Sequence, residues 1–353
     1  MVAVTNSPTP TDREATRFDR QTRFAPFGEE GQANLQRSRV LLVGAGALGG
    51  VLAQNCVRAG VGELVIVDRD VVEYSNLPRQ VLFTEEHARE ATPKALAAAE
   101  TLARVGGPST LTPIVGHLDA DLLIELGRTA DLILDGTDNL ETRYLINDFA
   151  LKERIPWVYA GVVGASGLVM PVVPESSACL ACLFPEPPPS GSLPTCDTAG
   201  VLGPAVGAIA SLAAGLGLRL LARPEARDEV PSRLVELDVW NGAVRSIGAP
   251  RDPECRACGT REFRWLEGAP SADPISLCGR NTVQIPSSTR AFDLEALAAR
   301  LQDVAEEVVY QKVMLRFRAD EHRFTVFQDG RALIEGTEDL DRARSLYARF
   351  VGQ

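Results

Sequence analysis

A glycine-rich turn that follows an apolar run is the feature that most constrains the fold. Residues 40–43 (VLLV) lead into Gly44, Gly46 and Gly49, and a small, apolar, helix-like segment follows. In nucleotide-binding βαβ units the first glycine permits a tight turn, the second lets a phosphate approach the backbone, and the third lets the helix pack on the strand. The helix dipole and free N–H groups then favour an anion. The alternative is an ordinary strand–helix turn.

An acid about twenty residues further on strengthens the case for a nucleotide. The run 63–68 (ELVIVD) is typical of a second buried strand, and it ends at Asp68. An acid in this position binds ribose hydroxyls in dinucleotide-binding folds. The pattern predicts nucleotide binding by the three glycines and Asp68 without identifying the nucleotide.

Strands and helices alternate at intervals of about 25–30 residues, which predicts a doubly wound, mostly parallel α/β sheet of the Rossmann-like class. The predicted helices cover 29–36, 51–59, 92–105, 121–126 and 140–152, and the strands 64–67, 110–115, 130–135, 156–164 and 168–174. An uncharged stretch within 200–222 is rich in glycine and alanine, so we expect a buried helix and no membrane span. A hairpin is expected at 234–247, turned by Asn241-Gly242.

The chain divides into three predicted parts. Residues 1–12 are rich in Thr, Pro and Ser and predict a disordered lead-in. Residues 13–268 form the nucleotide-binding domain with its cysteine-rich extension. After a linker, residues 275–353 predict a small α+β domain, with strands at 282–285 and 308–317, a hairpin turned at Asp329-Gly330, and helices near 294–301 and 339–350.

Polar side chains that follow the predicted strands are candidates for ligand contacts, because ligands bind beyond the carboxyl ends of parallel strands. Asp70, Asn76 and Arg79 follow the second strand. Lys94 lies in the first turn of a helix that Thr92 would cap, where a cation is disfavoured unless an anion is near; it is otherwise an ordinary exposed lysine. Asp138 follows a later strand, where a divalent metal on a triphosphate would be held.

The cysteines predict a metal site. Two C-x-x-C pairs, Cys179/Cys182 and Cys255/Cys258, offer the four thiolates of a closed, structural Zn²⁺ site; unrelated thiols or redox pairs are the alternatives. Cys196 precedes an apolar helix, where a thiol can be reactive, or it is a tolerated surface cysteine. We expect Cys278 to be a structural cysteine at the edge of the linker; the alternative is a second sulfur-handling thiol.

The charge balance excludes some partners. The chain has 36 Lys and Arg against 47 Asp and Glu, a formal net charge of −11. An acidic chain is a poor binder of nucleic-acid backbones. No secretory signal is visible, and a cytoplasmic location is expected.

Ordered motifs carry a family resemblance over residues 13–265. They are R-F-D-R-Q (17–21), G-A-G-A-L-G (44–49), V-D-R-D (67–70), S-N-L-P-R-Q (75–80), T-P-K-A (92–95), D-G-T-D-N (135–139), C-L-A-C (179–182), C-D-T-A-G-V-L-G-P (196–204) and C-R-A-C-G (255–259). This series resembles the ThiF/MoeB family, relatives of ubiquitin-activating enzymes that adenylate small sulfur-carrier proteins. The resemblance implies ATP-dependent adenylation of the C-terminal Gly-Gly carboxylate of a ThiS- or MoaD-like carrier.

The resemblance also implies roles for matched residues. Asp68 would hold the ribose above the glycine turn. Asp138 would hold Mg²⁺ with help from Asp70, and Arg79 and Lys94 would neutralise the triphosphate. Arg20 would reach across from the second subunit of a homodimer. The alternative from the residues alone is that Arg17 and Arg20 are solvated surface side chains. Cys196 would match a thiol that is proposed for persulfide or thioester chemistry in some members and is dispensable in others. A cysteine desulfurase or another donor would supply the sulfur.

Three rival functions were weighed. A nicotinamide-dependent oxidoreductase explains the glycines and Asp68 but leaves Arg79, Lys94 and Asp138 without a role. The acidic net charge and the two cysteine pairs argue against a tRNA-modifying dehydratase of the same superfamily. The presence of Arg20, Lys94 and Asp138 argues against a non-catalytic module that only docks carrier proteins. Pro78 departs from the family, which usually has Gln or Asn there. The sequence does not choose between the thiamine and molybdopterin pathways.

Overall fold

The structure is a computed structural model that describes residues 10–187, 196–268, 275–277, 282–285, 292–311, 313–328 and 330–352. The chain forms two compact units, one built on an eight-stranded sheet and the other on a six-stranded sheet. The predicted lead-in, residues 1–12, overlaps the first helix at its last three residues, and residues 1–9 lie outside the described part.

The first unit contains most of the helices. In chain order these are α1 (Pro10–Thr22), α2 (Gly28–Arg37), α3 (Ala47–Ala59), α4 (Glu85–Arg89), α5 (Lys94–Ala103), α6 (Ala120–Gly127), α7 (Leu140–Glu153), α8 (Leu180–Leu183), α10 (Gly203–Ala222) and α11 (Arg264–Glu267). The short α9 (Cys196–Ala199) precedes α10 in the chain, and all of it but Ala199 belongs to the second unit. Its strands are β1 (Arg39–Val43), β2 (Glu63–Asp68), β3 (Thr110–Val115), β4 (Leu132–Asp135), β5 (Trp157–Val163), β6 (Ser166–Val172), β7 (Arg233–Asp238) and β8 (Ala243–Gly248).

The sheet has the order β3-β2-β1-β4-β5-β6-β7-β8. The first five strands in this order are parallel, and β6, β7 and β8 continue the sheet in antiparallel fashion. The strand order reverses direction between β1 and β4, which is where open α/β sheets bind ligands. The prediction of a doubly wound, mostly parallel sheet is confirmed.

The apolar composition of the parallel strands follows from their burial on both faces of the sheet. The residues of β1 from Val40 to Val43 and those of β2 from Leu64 to Asp68 are buried, as expected for strands covered by helices on both faces. Helix α10 packs on α3, α2, β5 and β6. It is the one helix in the described residues long and apolar enough to cross a membrane, and its buried face lies in the core, as predicted. Gly217 allows that approach, because a Cβ there would lie 3.0 Å from Leu132.

One helix start differs from the prediction. The helix expected to follow the glycine turn and to continue through 51–59 is α3, which begins at Ala47, whereas α5 begins at Lys94, so Thr92 is not its N-cap. Pro93 is extended (φ −54°, ψ 132°) and bridges Val71, which keeps it out of the helix. Helix α4 was not predicted; it is a single capped turn in which Thr84 and His87 form a capping box.

The second unit is an antiparallel sheet with two helices. Its elements are β9 (Ile275–Leu277), β10 (Thr282–Ile285), α12 (Leu294–Leu301), β11 (Glu306–Gln311), β12 (Met314–Ala319), β13 (His322–Phe327), β14 (Ala332–Glu335) and α13 (Leu340–Phe350), in the sheet order β11-β12-β13-β14-β10-β9. The single predicted strand 308–317 is wrong. Tyr310 pairs with Leu315, so the chain folds back on itself. The apolar run conceals the turn because no glycine or proline marks it.

Candidate nucleotide and metal sites

The strand register places the predicted ligand groups in one row. Val43, the last residue of β1, lies between Val67 of β2 and Asp135 of β4. Gly44 therefore emerges between Asp68 and Gly136, at the carboxyl edge of the sheet and at the switch point of the strand order. The glycine turn and two of the acidic segments meet here because the strands are parallel.

Three glycines from two segments pack backbone against backbone. Gly44 has φ +86°, and a Cβ on it would lie 2.7 Å from the carbonyl oxygen of Gly136. A Cβ on Gly49 would lie 1.9 Å from the Gly44 carbonyl oxygen. Gly46 differs, because its nearest neighbour would be the Gln80 amide nitrogen at 3.8 Å. Gly44 and Gly49 are thus required by packing, whereas Gly46 leaves open space at the N-terminus of α3.

Asp68 ties the second strand to the glycine turn. Its Oδ2 accepts a hydrogen bond from the Ala45 N–H at 2.7 Å, and its Oδ1 accepts one from the Asp70 N–H at 2.7 Å. Burial raises the pKa of Asp68, and the ammonium group of Lys94 opposes that shift. The predicted ribose-binding carboxylate is therefore fixed in orientation beside the turn.

Lys94 lies beside Asp70 and not on the surface. Its side chain is buried, and Nζ lies 3.1 Å from Asp70 Oδ2. Its backbone N–H also donates to the Asp70 carbonyl oxygen. The alternative of an ordinary exposed lysine is therefore wrong, and a cation sits at the first turn of α5 with acidic neighbours.

The segment between β2 and α4 turns tightly around Asn76. Asn76 Oδ1 accepts from the Glu73 N–H at 3.1 Å, and the carbonyl oxygen of Asn76 accepts from the N–H groups of Arg79 and Gln80. Arg79 is half-buried and donates from Nη1 to the Ser75 carbonyl oxygen at 2.6 Å. Asn76 thus shapes the loop that carries Arg79.

A buried ion pair supports the loop after β4. Arg143 Nε lies 2.9 Å from Asp135 Oδ2, and Asp135 Oδ1 accepts from the N–H and hydroxyl of Thr137. Arg143 also donates to the carbonyl oxygens of Thr137 and Ala160. Burial disfavours its charge, but Asp135 outweighs burial and the pKa of Arg143 is raised. Asp138 is exposed on the loop that this pair fixes. The sequence analysis missed Arg143, because α7 contains several other charged and polar residues and nothing in the sequence sets this arginine apart.

The four paired cysteines form one cluster. Their sulfur atoms lie within 4.8 Å of one another, with separations of 3.8 Å for Cys179 and Cys182, 3.6 Å for Cys179 and Cys255, and 3.3 Å for Cys182 and Cys258. A tetrahedral site with metal–sulfur bonds of about 2.3 Å needs sulfur separations of about 3.8 Å. Contacts among the thiols raise the pKa of Cys179 and lower that of Cys182. The cluster can hold a metal ion.

Helix α7 connects the cysteine cluster to the β4 loop. Asn147 Oδ1 accepts from the Leu180 N–H at 2.9 Å, and the Tyr144 hydroxyl donates to the Phe184 carbonyl oxygen at 2.7 Å, which anchors the first cysteine knuckle. Asp148 is fully buried, accepts from the Trp265 N–H, and lies 3.6 Å from Arg256 of the second knuckle. The same helix carries Arg143.

Arg20 is not brought to this site within one chain. Its side chain is 87% exposed. Helix α1 is anchored at the other end of α3, where Gln21 donates to the Ala59 carbonyl oxygen and Phe18 packs on Gly60. Helix α3 has 13 residues and is about 20 Å long. Arg20 therefore lies near the amino edge of the sheet, whereas the glycine turn lies at the carboxyl edge.

The two remaining predicted thiols are not placed by the structure. Cys196 begins α9, but its side chain lies outside the described part of the chain. Cys278 also lies outside the described residues. Their roles stay predictions.

The fold and this site define a nucleotide-binding α/β protein with a cluster of four cysteines that could bind a metal ion. The chain belongs to the ThiF family, whose model matches residues 18–257, and the predicted resemblance is confirmed. It is 42% identical over 340 residues to the sulfur carrier protein ThiS adenylyltransferase of Bacillus subtilis, covering 95% of this chain and 99% of that protein.

Other relatives cover a smaller share of the chain. The SAMP-activating enzyme E1 of Haloferax volcanii is 36% identical, covering 70% of this chain and 90% of that protein. Among solved structures, E. coli MccB matches with a TM-score of 0.61 and 19% identity, covering 72% of this chain and 74% of that one. The MccB likeness shows the fold alone.

Proposed function

We propose that this protein is an adenylyltransferase that activates the C-terminal Gly-Gly carboxylate of a small ubiquitin-like sulfur-carrier protein. The observation that carries the proposal is the cradle at the switch point, where the glycine turn, Asp68, Lys94 and the Asp138 loop meet. Identity to a ThiS adenylyltransferase along almost the whole chain supports a ThiS-like carrier first and a MoaD-like carrier second.

The proposed reaction needs fixed charge more than proton transfer. The carrier carboxylate attacks the α-phosphorus of ATP, an acyl–phosphate bond forms, the bond from the α-phosphorus to the bridging oxygen breaks, and pyrophosphate leaves. Negative charge builds up on phosphate oxygens, so positioning and positive groups supply the catalysis. The residues proposed for this task are Arg79 and Lys94, together with the N-terminus of α3.

Lys94 would exchange partners when ATP binds. It lies beside Asp70, so the phosphates would compete for its ammonium group. Mg²⁺ on the triphosphate would neutralise charge on the leaving pyrophosphate, and Mg²⁺ in such sites is bound by one or two carboxylates and by the phosphates. Asp138, assisted by Asp70, would hold it. The Asp68 carboxylate, which two backbone N–H groups hold in place, would accept hydrogen bonds from the ribose hydroxyls.

The metal in the cysteine cluster would be Zn²⁺. Four sulfur ligands leave no open position, and three of the four cysteines are buried, so its role would be structural. Arg20 would serve the site of a second copy in a homodimer, because its own chain holds it away from the site. Cys196 would take part in sulfur transfer from a cysteine desulfurase or another donor in the cytoplasm.

Carrier-dependent ATP–pyrophosphate exchange tests the proposal. Purified protein should exchange labelled pyrophosphate into ATP only when a ThiS- or MoaD-like carrier with an intact Gly-Gly end is present. A carrier that lacks the terminal glycine is the control. Absence of exchange with every carrier, while ATP still binds, would overturn the adenylation proposal. Reduced-nicotinamide absorbance in the same samples checks the oxidoreductase alternative.

The role of Cys196 has its own test. Cys196→Ala should keep pyrophosphate exchange, because adenylation precedes sulfur transfer, and should lose sulfur incorporation into the carrier. Full sulfur incorporation by this variant would remove Cys196 from the mechanism.

A further inference from the structure

Gln80 is a buried glutamine whose side chain has no hydrogen-bond partner among the described residues. It is 5% exposed, and its Oε1 is sealed from solvent with no donor in reach. The backbone of Gln80 is fixed, because its N–H donates to the Asn76 carbonyl oxygen. A buried polar group without a partner costs stability, so such a group calls for an explanation.

The carboxamide faces the open end of helix α3. The Gln80 amide nitrogen would lie 3.8 Å from a Cβ on Gly46, the N-cap of α3. Gly46 supplies no side-chain cap, and the first N–H groups of a helix have no partner inside it. The gap between Gly46 and Gln80 stays open because residue 46 has no side chain.

A nucleotide supplies an acceptor for the end of this carboxamide that faces the gap. The amide N–H can donate to a phosphoryl oxygen, and that bond fixes the direction of the carboxamide, whose oxygen stays buried. Asp68 accepts from the Ala45 N–H, one residue before Gly46, so the proposed ribose position adjoins the gap. The first phosphate beyond the ribose is the α-phosphate.

We infer that Gln80 binds the α-phosphate of the nucleotide, together with the free N–H groups at the N-terminus of α3. The neighbouring Arg79 and Lys94 supply charge, whereas Gln80 supplies a neutral donor fixed in direction. In adenylation the α-phosphorus is the atom attacked, so Gln80 fixes the reacting group. This inference rests on the proposed nucleotide-binding function, but it can be tested without any carrier.

Gln80→Met tests it at nearly constant side-chain volume. Because the native carboxamide has no partner in the ligand-free chain, Met should leave the melting temperature unchanged or raise it. Calorimetric titration of the full-length protein should show AMP and ATP binding weakened about tenfold, with adenosine binding unchanged. Gln80→Glu places a negative charge at the same atoms and should weaken the binding of both AMP and ATP more than Gln80→Met does, because the carboxylate repels the α-phosphate.

A second buried glutamine provides the matched control. Gln32 lies at the other end of α3, accepts from Gln21 and donates to the Ala59 carbonyl oxygen. Gln32→Ala should lower the melting temperature and leave AMP affinity unchanged.

Two results would overturn the inference. One is wild-type AMP affinity in both Gln80 variants; the other is an equal loss of adenosine and AMP affinity, which indicates distortion of the site. If the wild-type protein binds AMP but shows no carrier-dependent exchange, the adenylation proposal fails, whereas the inference that Gln80 binds the α-phosphate still stands.

Discussion

The Asp135–Arg143 pair fixes the shape of the β4 loop at the level of single residues. Both side chains are buried, and among the described residues the Asp135 carboxylate forms its hydrogen bonds with Arg143 and with Thr137 of the loop. Removing one partner of a buried pair leaves the other charge without compensation. The pair is therefore a stronger determinant of stability than the many surface ion pairs.

Arg143→Met should lower the free energy of unfolding by about 3–5 kcal/mol, because Asp135 then keeps an uncompensated buried charge. Urea denaturation measures the loss. Arg128→Met is the matched control, since Arg128 pairs with Glu153 at the surface, and we expect it to cost about 0–1 kcal/mol. Equal losses in the two variants would contradict the assigned role of the buried pair.

Cys56 gives a pH-dependent prediction. Burial raises the pKa of this thiol to about 12, against about 8.5 in an unfolded chain. The neutral thiol is favoured in the fold, so its contribution is constant below pH 8.5. It falls as pH rises from there toward 12, at up to about 1.4 kcal/mol per pH unit.

Urea denaturation at pH 7.5 and pH 9.5 measures the Cys56 effect as the difference between the wild type and Cys56→Ala. The wild type should lose more stability than the variant on going to pH 9.5. Alkylation at pH 8 should also spare Cys56 in the native protein and modify it in urea. An equal alkaline decline in both proteins would show that other groups cause it.

At the scale of elements, α7 joins the two candidate sites. Its residues from Thr142 to Leu151 are all buried, so the helix has no solvated face over this length. Arg143 holds the β4 loop, whereas Asn147 and Asp148 hold the cysteine knuckles. A metal that fixes the knuckles therefore stabilises the helix that orders the nucleotide side.

Removal of the metal should lower the melting temperature, and added Zn²⁺ should restore it where Mg²⁺ does not, because thiolates prefer the softer ion. Asn147→Ala should speed metal release to a chelator, since Leu180 loses its anchor. Asn55→Ala is the control, because Asn55 bonds only within its own helix, to Val51. Release at the wild-type rate from the Asn147 variant would contradict the coupling.

The sequence predicted the helices and strands more accurately than it predicted the contacts between them. The strand ending at Asp68 and the helix starting after Asn139 were readable because apolar periodicity and capping residues are local. The partners of Arg143 and the buried position of Gln80 were not, because they arise from strand order and from loops that meet across the sheet. The start of α5 was misplaced since a tertiary bridge to Val71 holds Pro93 extended.

At the scale of the whole molecule, the position of Arg20 bears on whether two copies of the chain must assemble for activity. One chain carries the cradle at the carboxyl edge of the sheet and Arg20 near the amino edge. If Arg20 contributes to catalysis, a second copy must present it. In the isolated chain Arg20 is also consistent with an ordinary solvated surface residue. Whether two copies assemble with Arg20 in the partner's site therefore distinguishes the two alternatives.

Mixing two inactive variants separates these alternatives. Arg20→Ala and Asp138→Ala should each lose pyrophosphate exchange, and co-refolding them in equal amounts should restore about a quarter of the sites, since half of the dimers are mixed and each has one intact site. Arg20→Ala mixed with Lys94→Ala should behave alike. Full activity of Arg20→Ala would place Arg20 outside the reaction. Mixed dimers that stay inactive would show that Arg20 does not act in the site of the second copy, and gel filtration reports whether dimers form.

The packing of Gly136 against the turn has a consequence for protein engineering. Residues 40–59 look like a portable phosphate-binding cassette, yet a Cβ on Gly136 would lie 2.5 Å from the Gly44 carbonyl oxygen. Transplanting the cassette into another α/β scaffold would therefore fail wherever the adjacent strand ends in a residue with a side chain. The transferable module is a pair of neighbouring strand ends, distant in the chain, that must be grafted together.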